Sequence, residues 1–285
     1  MIGAIIGDII GSRFEFSDEP PGDFDLFTDE CSFTDDTVAT IATMDWMNNG
    51  GKSEQYADVL SKWVRKYKDV GFSGKFLSWA LSSDRKPYGS YGNGAAMRVS
   101  PAAWVSTTEG GADILSENIA KVSHNHKDAI SGAKAIANCT LMARLGYSKS
   151  GIRSFAKSKF GYNLDGSLND YSQSGNKSSL FSAARVTVPA AIASFLLSDS
   201  FEGTVRNAIS LGGDTDTIAS MAASIADAYY GIPSEIEKQA LAFLPDAFRD
   251  VIEEFAKTAK KVWKDYISYY TQMPEVIESR KSRRD

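Results

Sequence analysis

Residues 212–217 read Gly-Gly-Asp-Thr-Asp-Thr and lead into an apolar, alanine-rich run that ends at Tyr230, before Gly231-Ile232-Pro233. The run predicts a buried helix, because alanine favours helix and glycine followed closely by proline stops one. Asp214 and Asp216 would lie at the start of this helix, where carboxylates complement the positive end of the helix dipole. The two preceding glycines indicate a backbone that passes close to another group, such as a ligand or a metal.

A second acidic string, Thr34-Asp35-Asp36-Thr37, opens another apolar run, which ends at residues 48–51, Asn-Asn-Gly-Gly. Helix capping alone explains each string, with Thr34 as the cap and Asp35 and Asp36 in the first turn. The alternative is that the two strings meet at one site. Converging carboxylates and hydroxyls offer only hard oxygen ligands, which suit Mg²⁺ or Mn²⁺ and not zinc or copper. Because unpaired carboxylates repel one another, two such strings favour a metal-dependent enzyme.

The rest of the chain also shows helical periodicity, and convincing alternating strands are absent from the sequence. We therefore predict an all-α fold, a single compact many-helix domain over residues 1–278, followed by a basic, disordered tail at 279–285. A polar stretch at 161–182 fits either a mobile loop on the substrate side or a plain surface excursion. Helices are predicted at residues 37–47, 53–68, 128–145, 188–197, 201–211, 217–230 and 246–270.

Composition and charge limit the partners and the cellular location to expect for this protein. The net charge of −5 and the pI near 5.2 argue against nucleic acid as a partner held by bulk phosphate attraction, although a modified nucleic acid could still be a substrate. Two cysteines, Cys31 and Cys139, imply no disulfide framework and fit small buried apolar positions. The apolar start of the chain resembles neither a signal peptide nor a membrane span, so we expect a cytoplasmic protein without a membrane partner.

Near the start of the chain, glycines recur every fourth residue at Gly3, Gly7 and Gly11. On a helix they would form one smooth stripe that lets a neighbouring backbone approach closely. Glu15 follows this stripe and is flanked by Phe14 and Phe16. A carboxylate between aromatic rings can have a raised pKa suited to acid–base chemistry, whereas an isolated glutamate is more commonly a surface residue.

A glycine-rich loop, Ser90-Tyr91-Gly92-Asn93-Gly94, is a candidate binding site for a diphosphate, since glycines let backbone N–H groups approach a ligand. A simple turn is the alternative, and Tyr91 could stack on a base or ribose or merely pack. Both histidines lie in Ser123-His124-Asn125-His126. We interpret His124 as a hydrogen-bonding group for phosphate or ribose, while Ser123 or Asn125 could cap the following helix.

Taken in order, these strings resemble the ADP-ribosylglycohydrolase family, which includes dinitrogenase-reductase-activating glycohydrolase and the ADP-ribosyl-acceptor hydrolases. The resemblance extends from Gly3 to about Pro233. It rests on five strings: Gly-Asp-Ile-Ile-Gly with Glu at 7–15, Thr-Asp-Asp-Thr at 34–37, Gly-Asn-Gly with Met-Arg at 92–98, His124 with Gly132-Ala133, and Gly-Gly-Asp-Thr-Asp-Thr at 212–217.

The resemblance implies an all-α fold with a binuclear metal cleft that holds two Mg²⁺ or Mn²⁺ ions. The implied metal ligands are Thr34, Asp35, Asp36, Asp214, Asp216 and Thr217. Glu15, Asp35 and Asp36 would be catalytic, and the implied substrate-binding residues are Ser90, Tyr91, Gly92, Asn93, Gly94 and His124. The implied reaction is hydrolysis of the glycosidic bond between ADP-ribose and an acceptor, which is a protein side chain or a small molecule. Arginine is the first acceptor to expect, and serine or an O-acyl group comes next.

Two other functions are compatible with the sequence. One is a non-catalytic ADP-ribose-binding or structural member of the family, which the intact acidic residues disfavour. The other is a metal-dependent phosphohydrolase that cleaves the diphosphate itself. The chain departs from many relatives at 181–189, where Arg185 and apolar residues stand before Val188-Pro189, so no ligand contact is carried over there. The acceptor and the oligomeric state are left open by the sequence.

Overall fold

The computed structural model describes residues 1–15, 17, 21–173 and 181–271, with side chains described as far as Tyr266. The all-α prediction is confirmed: the described residues form helices and contain one isolated β-bridge but no strand. Phe16 and the predicted tail at 279–285 lie outside these ranges. The helices are α1 (Gly3–Gly11), α2 (Asp35–Asn48), α3 (Tyr56–Lys66), α4 (Gly74–Leu81), α5 (Ser100–Val105), α6 (Glu109–Lys121), α7 (Lys127–Arg144), α8 (Lys149–Phe160), α9 (Ala184–Leu196), α10 (Phe201–Ser210), α11 (Thr215–Tyr230), α12 (Ser234–Ala242) and α13 (Asp246–Thr271).

Helix α1 lies at the centre of the fold, and all nine of its residues are buried. Its glycine stripe packs closely on a neighbouring helix, as the spacing predicts, and that helix is α11. A Cβ atom at Gly7 would lie 2.2 Å from the carbonyl oxygen of Ala219, and one at Gly3 would lie 2.3 Å from that of Ala223. Side chains larger than hydrogen would therefore separate the two helices. At the end of the stripe, Gly11 meets the backbone of Asp216, so the same contact fixes the start of α11 beside α1.

The remaining helices surround this central pair. Helices α7, α9 and α10 pack on α11, while α2 packs on α1 and is covered on its other sides by α3 and α13. Alanine is abundant in α7, α9 and α11, and small side chains let helix axes approach closely over long contacts. Both cysteines are free and buried, which confirms their prediction as apolar core positions. No helix in the described part of the chain is long and apolar enough to cross a membrane.

Helix boundaries show where local sequence patterns mislead. Ser200 caps α10, as predicted, by accepting a hydrogen bond from Gly203 N at 2.9 Å. Helix α9 instead begins at Ala184, four residues before the predicted start, and it contains Pro189 in its interior. Proline is usually tolerated only in the first helical turn, so this start could not be predicted from residue type. The sequence analysis also did not predict the helices α4, α5, α6, α8 and α12.

Candidate metal centre and adjoining cavity

The two acidic strings meet, as the metal hypothesis requires. Asp35 opens α2, Asp214 immediately precedes α11 and Asp216 lies in its first turn. The carboxylate oxygens of Asp214 and Asp216 lie within 4.8 Å of one another and of a Glu15 oxygen, which is close enough to share one metal ion. Glu15 follows a short 3-10 helix that continues α1, so three separate chain segments supply these carboxylates.

A direct hydrogen bond joins the two strings at Asp36. Its Oδ2 atom accepts a hydrogen bond from the Thr217 hydroxyl at 3.0 Å. Its Oδ1 atom is buried, and none of the described groups donates a hydrogen bond to it. A buried carboxylate oxygen without a donor is costly, and a bound cation is a common way to satisfy one. Helix capping therefore does not account for this aspartate.

Asp8 holds the start of α2 through hydrogen bonds. The sequence analysis did not identify it as a site residue. The carboxylate is fully buried. It accepts hydrogen bonds from the Thr34 hydroxyl at 2.7 Å, from the Thr34 and Thr37 backbone N–H groups at 3.0 Å each, and from the Thr37 hydroxyl. One signal could have revealed it, namely a charged residue inside the apolar run of α1, which must find partners when that helix is buried.

The two glycines before Asp214 act through backbone conformation and internal packing. Both have positive φ, +68° at Gly212 and +75° at Gly213, and residues with a side chain rarely adopt this region. The sequence analysis attributed the glycines to the approach of a ligand or metal. The close neighbour is instead Gln173, since a Cβ atom at Gly213 would lie 2.5 Å from the Gln173 Cβ. The turn is thus shaped by the protein interior, and it aims Asp214 at the site.

Burial and mutual repulsion disfavour ionisation of these carboxyl groups. Burial, and then the charges of Asp214, Asp35 and Asp8, raise the pKa of Glu15 to about 8. Burial, together with the charges of Asp8 and Asp214, raises the pKa of Asp35 to about 8. Burial raises the pKa of Asp36 and of Asp216 well above the usual value for aspartate. The cluster therefore holds carboxylates in a place that disfavours their negative charge.

The residues fit a divalent metal. The available donors are carboxylate and hydroxyl oxygens, which Mg²⁺ and Mn²⁺ prefer. The unpaired Asp36 Oδ1 atom and the raised pKa values both indicate that the positive charge supplied by the protein does not balance these carboxylates. Of the six predicted ligands, Asp35, Asp214, Asp216 and Thr217 line the adjoining cavity together with Glu15. Asp36 bonds to Thr217, and Thr34 bonds to Asp8.

A cavity of about 330 Å³ opens above the acidic cluster. It brings together most of the predicted site residues with others that the sequence analysis did not single out. Phe76 comes from α4, Arg98 follows the glycine-rich loop, and Phe181 and Ser182 precede α9. The described residues that line the cavity are Glu15, Asp35, Gly71, Ser73, Phe76, Ser90, Gly92, Asn93, Gly94, Met97, Arg98, His124, Phe181, Ser182, Asp214, Asp216 and Thr217.

The glycine-rich loop lines the cavity, but two of its backbone N–H groups are engaged within the protein. Gly92 N donates to the Ser90 hydroxyl at 3.3 Å, and Asn93 N donates to the Ser182 carbonyl at 2.8 Å. The Asn93 side chain instead reaches the acidic cluster, because its Nδ2 atom donates to Asp214 Oδ2 at 2.8 Å. Gly94 leaves room for an imidazole, since a Cβ atom there would lie 2.9 Å from His124 Nε2.

The two histidines lie in different surroundings. His124 is buried and lines the cavity. His126 caps α7 by accepting a hydrogen bond from Asp128 N at 3.2 Å, so the cap is neither Ser123 nor Asn125, which the sequence analysis considered as alternatives. Asn125 instead accepts a hydrogen bond from Gly89 N at 2.7 Å. Tyr91 is 42% exposed and its ring meets His126 edge-on, outside the described lining of the cavity.

The described ends of the polar stretch at 161–182 lie in different surroundings, and the choice between a mobile loop and a surface excursion stays a prediction. Residues 168–171 form a 3-10 helix that packs on α9, and Gln173 N donates to the Leu211 carbonyl at 2.7 Å. At the other end, Phe181 and Ser182 line the cavity. Residues 174–180 lie outside the described ranges.

Comparisons with known proteins identify the family and the fold of this chain. The family model described as ADP-ribosylglycohydrolase matches residues 1–269. The chain is 25% identical to ADP-ribosylhydrolase ARH3 of Mus musculus, over 90% of this chain and 87% of that protein. It is 26% identical to ADP-ribosylhydrolase ARH3 of Homo sapiens, over 81% of this chain and 84% of that protein.

The fold is also shared with a solved structure described as an ADP-ribosylglycohydrolase-related protein complex. The TM-score is 0.67 at 22% identity, covering 92% of this chain and 95% of that one. Because the family model extends over nearly the whole chain, the sequence resemblance is confirmed. The chain belongs to the ADP-ribosylglycohydrolase family.

Proposed function

We propose that this protein is a metal-dependent hydrolase that cleaves the glycosidic bond between ADP-ribose and an acceptor and releases ADP-ribose. The observation that carries the proposal is the convergence of four carboxylates, those of Glu15, Asp35, Asp214 and Asp216, on one cavity, next to Asp36 with its buried, unpaired oxygen. The two curated relatives, both ADP-ribosylhydrolases, support the substrate class. A site without a bound cation would gain nothing from so repulsive a cluster.

Two Mg²⁺ or Mn²⁺ ions would be held by Thr34, Asp35, Asp36, Asp214, Asp216 and Thr217. When bound, such ions act as Lewis acids that polarise ribose hydroxyls and lower the pKa of coordinated water. Asp8 and Asn93 orient two of these ligand groups, through Thr34 and Asp214 respectively. Supporting groups of this kind typically change metal affinity or activity by about 10–100-fold when they are removed.

The proposed reaction adds water across one bond. The bond between ribose C1 and the acceptor atom breaks, the oxygen of water bonds to C1, and the acceptor leaves with a proton. Positive charge develops on the sugar ring, and nearby carboxylates stabilise it. Glu15 is the proposed acid–base group, because its partly buried carboxyl lines the cavity beside Asp214 and Asp216, where it could exchange a proton with the attacking water or the leaving group.

The cavity beyond the acidic cluster would hold the rest of ADP-ribose. Ser90, Gly92, Asn93, Gly94 and His124 line it, and we assign them to the diphosphate and ribose portion. Tyr91 lies at the outer edge of this loop, where a base could reach its exposed ring. Arginine-linked ADP-ribose is the first acceptor conjugate to test, followed by serine-linked and O-acyl conjugates and by a modified nucleic-acid base.

The test is release of free ADP-ribose from a panel of arginine-, serine- and O-acyl-linked conjugates, each with Mg²⁺, Mn²⁺ or EDTA. We expect release from at least one conjugate with metal and none with EDTA. Glu237→Gln serves as a control, since it alters an exposed carboxylate on α12, away from the site.

Three outcomes would contradict the proposal in different ways. ADP-ribose binding without any release would favour a non-catalytic binding protein. Products of diphosphate cleavage, AMP and a ribose phosphate, would identify a phosphohydrolase. Equal release in EDTA would rule out the metal-dependent mechanism.

A further inference from the structure

Arg98 is a fully buried cation that lies beside the cavity and joins three separate segments. Its Nη1 atom donates to the Gly94 carbonyl at 2.6 Å, which fixes the glycine-rich loop. Its Nη2 atom donates to the Ile119 carbonyl at 3.1 Å, near the end of α6, and to the Ser123 hydroxyl at 2.9 Å. The guanidinium carbon also lies 5.5 Å from the centre of the Phe76 ring. This residue therefore has a fixed position and fixed hydrogen-bond directions.

The hydrogen bonds from Arg98 determine the direction of the next one. Ser123 Oγ lies 2.8 Å from His124 Nδ1. An arginine can only donate, so Ser123 Oγ accepts from Arg98 and its own proton is free to point at the imidazole. The hydroxyl oxygen has a second lone pair, but among the described groups Ser123 has no hydrogen-bond acceptor for its proton other than Nδ1, so Nδ1 accepts and carries no proton of its own. The one proton of a neutral His124 ring is consequently on Nε2.

The surroundings of His124 favour this neutral form and direct Nε2 to the cavity. Burial, and then the positive charge of Arg98, hold the pKa of His124 well below its usual value. The imidazole lies between the rings of Phe76 and Tyr88, at centroid distances of 5.9 and 5.8 Å. Its Nε2 atom lies beside Gly94, where a side chain would collide with it.

We propose that Arg98 and Ser123 are positioning residues that hold His124 as the Nε2–H tautomer, so that it presents one hydrogen-bond donor to an oxygen atom of the ligand in the cavity. The identity of that ligand rests on the proposed function, in which it is a phosphate or ribose oxygen of ADP-ribose. The relay, by which we mean the hydrogen bonds from Arg98 through Ser123 to His124, depends only on the geometry of the protein. The relay also explains why residue 94 is glycine, because the loop must leave space for the Nε2–H group of His124.

The chain offers an unusually clean test, because it contains only two histidines. His126→Asn removes the other one and keeps a side chain that caps helices well. With ¹⁵N-labelled histidine, long-range proton–nitrogen spectra of this variant distinguish the two tautomers and the imidazolium of His124. We expect the neutral Nε2–H pattern at pH 7. An Nδ1–H pattern or an imidazolium at this pH would overturn the proposal.

Ser123→Ala, made in the same background, tests whether the relay is the cause. We expect it to shift His124 toward the Nδ1–H tautomer and to weaken ADP-ribose binding by about 2- to 12-fold, the value of one ordinary hydrogen bond. Ser123→Thr, which keeps the hydroxyl, should restore the Nε2–H pattern. Ser116→Ala is the matched control, a buried serine on α6 that bonds only to backbone carbonyls of its own helix. An unchanged tautomer in a folded Ser123→Ala protein would overturn the proposal.

The experiment separates this inference from the proposed function. The tautomer is measured without ligand, so the relay can be confirmed in a protein that releases no ADP-ribose. In that case the proposed function fails and the positioning role stands. Conversely, metal-dependent ADP-ribose release together with an Nδ1–H tautomer would support the function and contradict the relay.

Discussion

At the scale of single residues, Asp36 shows how a helix cap and a metal site differ. Both would place a carboxylate in the first turn of α2. A cap, however, leaves its oxygens bonded to backbone N–H groups or to water, whereas Asp36 has a buried oxygen without a donor among the described residues. Its other oxygen belongs to a hydrogen bond with Thr217 of the opposite helix. This geometry favours the proposed metal-binding role over a helix cap.

We predict that Asp36→Asn reduces ADP-ribose release by at least about 100-fold, a loss comparable to removal of a main electrostatic group at an active site. In EDTA the variant should be at least as stable as the unchanged protein, because a repulsive buried charge has been removed. Turnover with Mg²⁺ and thermal unfolding in EDTA are the two measurements. Full turnover in the variant, or a large loss of stability in EDTA, would contradict a metal-binding role.

Glu15 has two roles open to it, since it lies close enough to Asp214 and Asp216 to share an ion with them. We predict that Glu15→Gln lowers kcat by about 100- to 10,000-fold, the usual contribution of a general acid or base, and changes ADP-ribose affinity little. Single-turnover rates and equilibrium binding of Mg²⁺ to the variant distinguish the roles. An unchanged Mg²⁺ affinity with a lost rate identifies an acid–base group, while a lost Mg²⁺ affinity identifies a ligand.

At the scale of helices, α1 connects the two halves of the site. Asp8 on one side bonds Thr34 and Thr37 at the start of α2, and Gly11 on the other side meets the backbone of Asp216. Two acidic helix starts that are far apart in sequence are thereby held at a fixed separation. The glycine stripe predicts that some helix packs closely on α1, but nothing in the residue spacing says that the partner is α11.

We predict that Gly7→Ala destabilises the fold by about 1–3 kcal/mol or more and reduces Mg²⁺ affinity, because its Cβ would force α1 away from the Ala219 carbonyl. Gly110→Ala in α6 is the matched control. No described atom lies within 4 Å of that added methyl, so alanine should stabilise the helix by about 0.5–1 kcal/mol. Denaturant unfolding and Mg²⁺ titration of both variants provide the comparison. Equal effects of the two substitutions would show that helix spacing does not control the site.

The predictable part of the site follows from local patterns. Asp35, Asp36, Asp214 and Asp216 occur at helix starts, which sequence reveals through capping residues and apolar runs. Phe76 and Arg98 were missed because only the tertiary fold brings their separate segments to the cavity. Asp8 was missed although a charged residue inside an apolar run signals a need for buried hydrogen-bond partners. Short helices such as α4 and α5 have few turns in which a period can be recognised. Pro189 concealed the start of α9 for a different reason, since the surrounding packing overrides its local preference.

At the scale of the whole molecule, the acidic cluster links stability to pH and to metal. For Glu15 and Asp35 the pKa in the fold is about 8, against ordinary values of 4.5 and 3.8. The folded chain therefore binds more protons than the unfolded chain between these values, and its free energy of unfolding must fall as pH rises through this window. His124 acts in the opposite direction, because its lowered pKa removes stability as pH falls below about 6.5.

Between pH 6.5 and pH 8 the two effects can be told apart, because only the carboxylates should change the free energy of unfolding with pH in this range. We predict that in EDTA the melting temperature falls across this range, and that Glu15→Gln flattens the decline.

Mg²⁺ should stabilise the protein more at pH 8 than at pH 6.5, since the ion competes with protons for the same oxygens. At a free Mg²⁺ concentration 100 times Kd, the gain should approach about 2.7 kcal/mol. Thermal unfolding followed by circular dichroism at both pH values measures each quantity. A flat profile in EDTA combined with equal Mg²⁺ stabilisation at both values would show that these carboxyl groups are not where the metal binds.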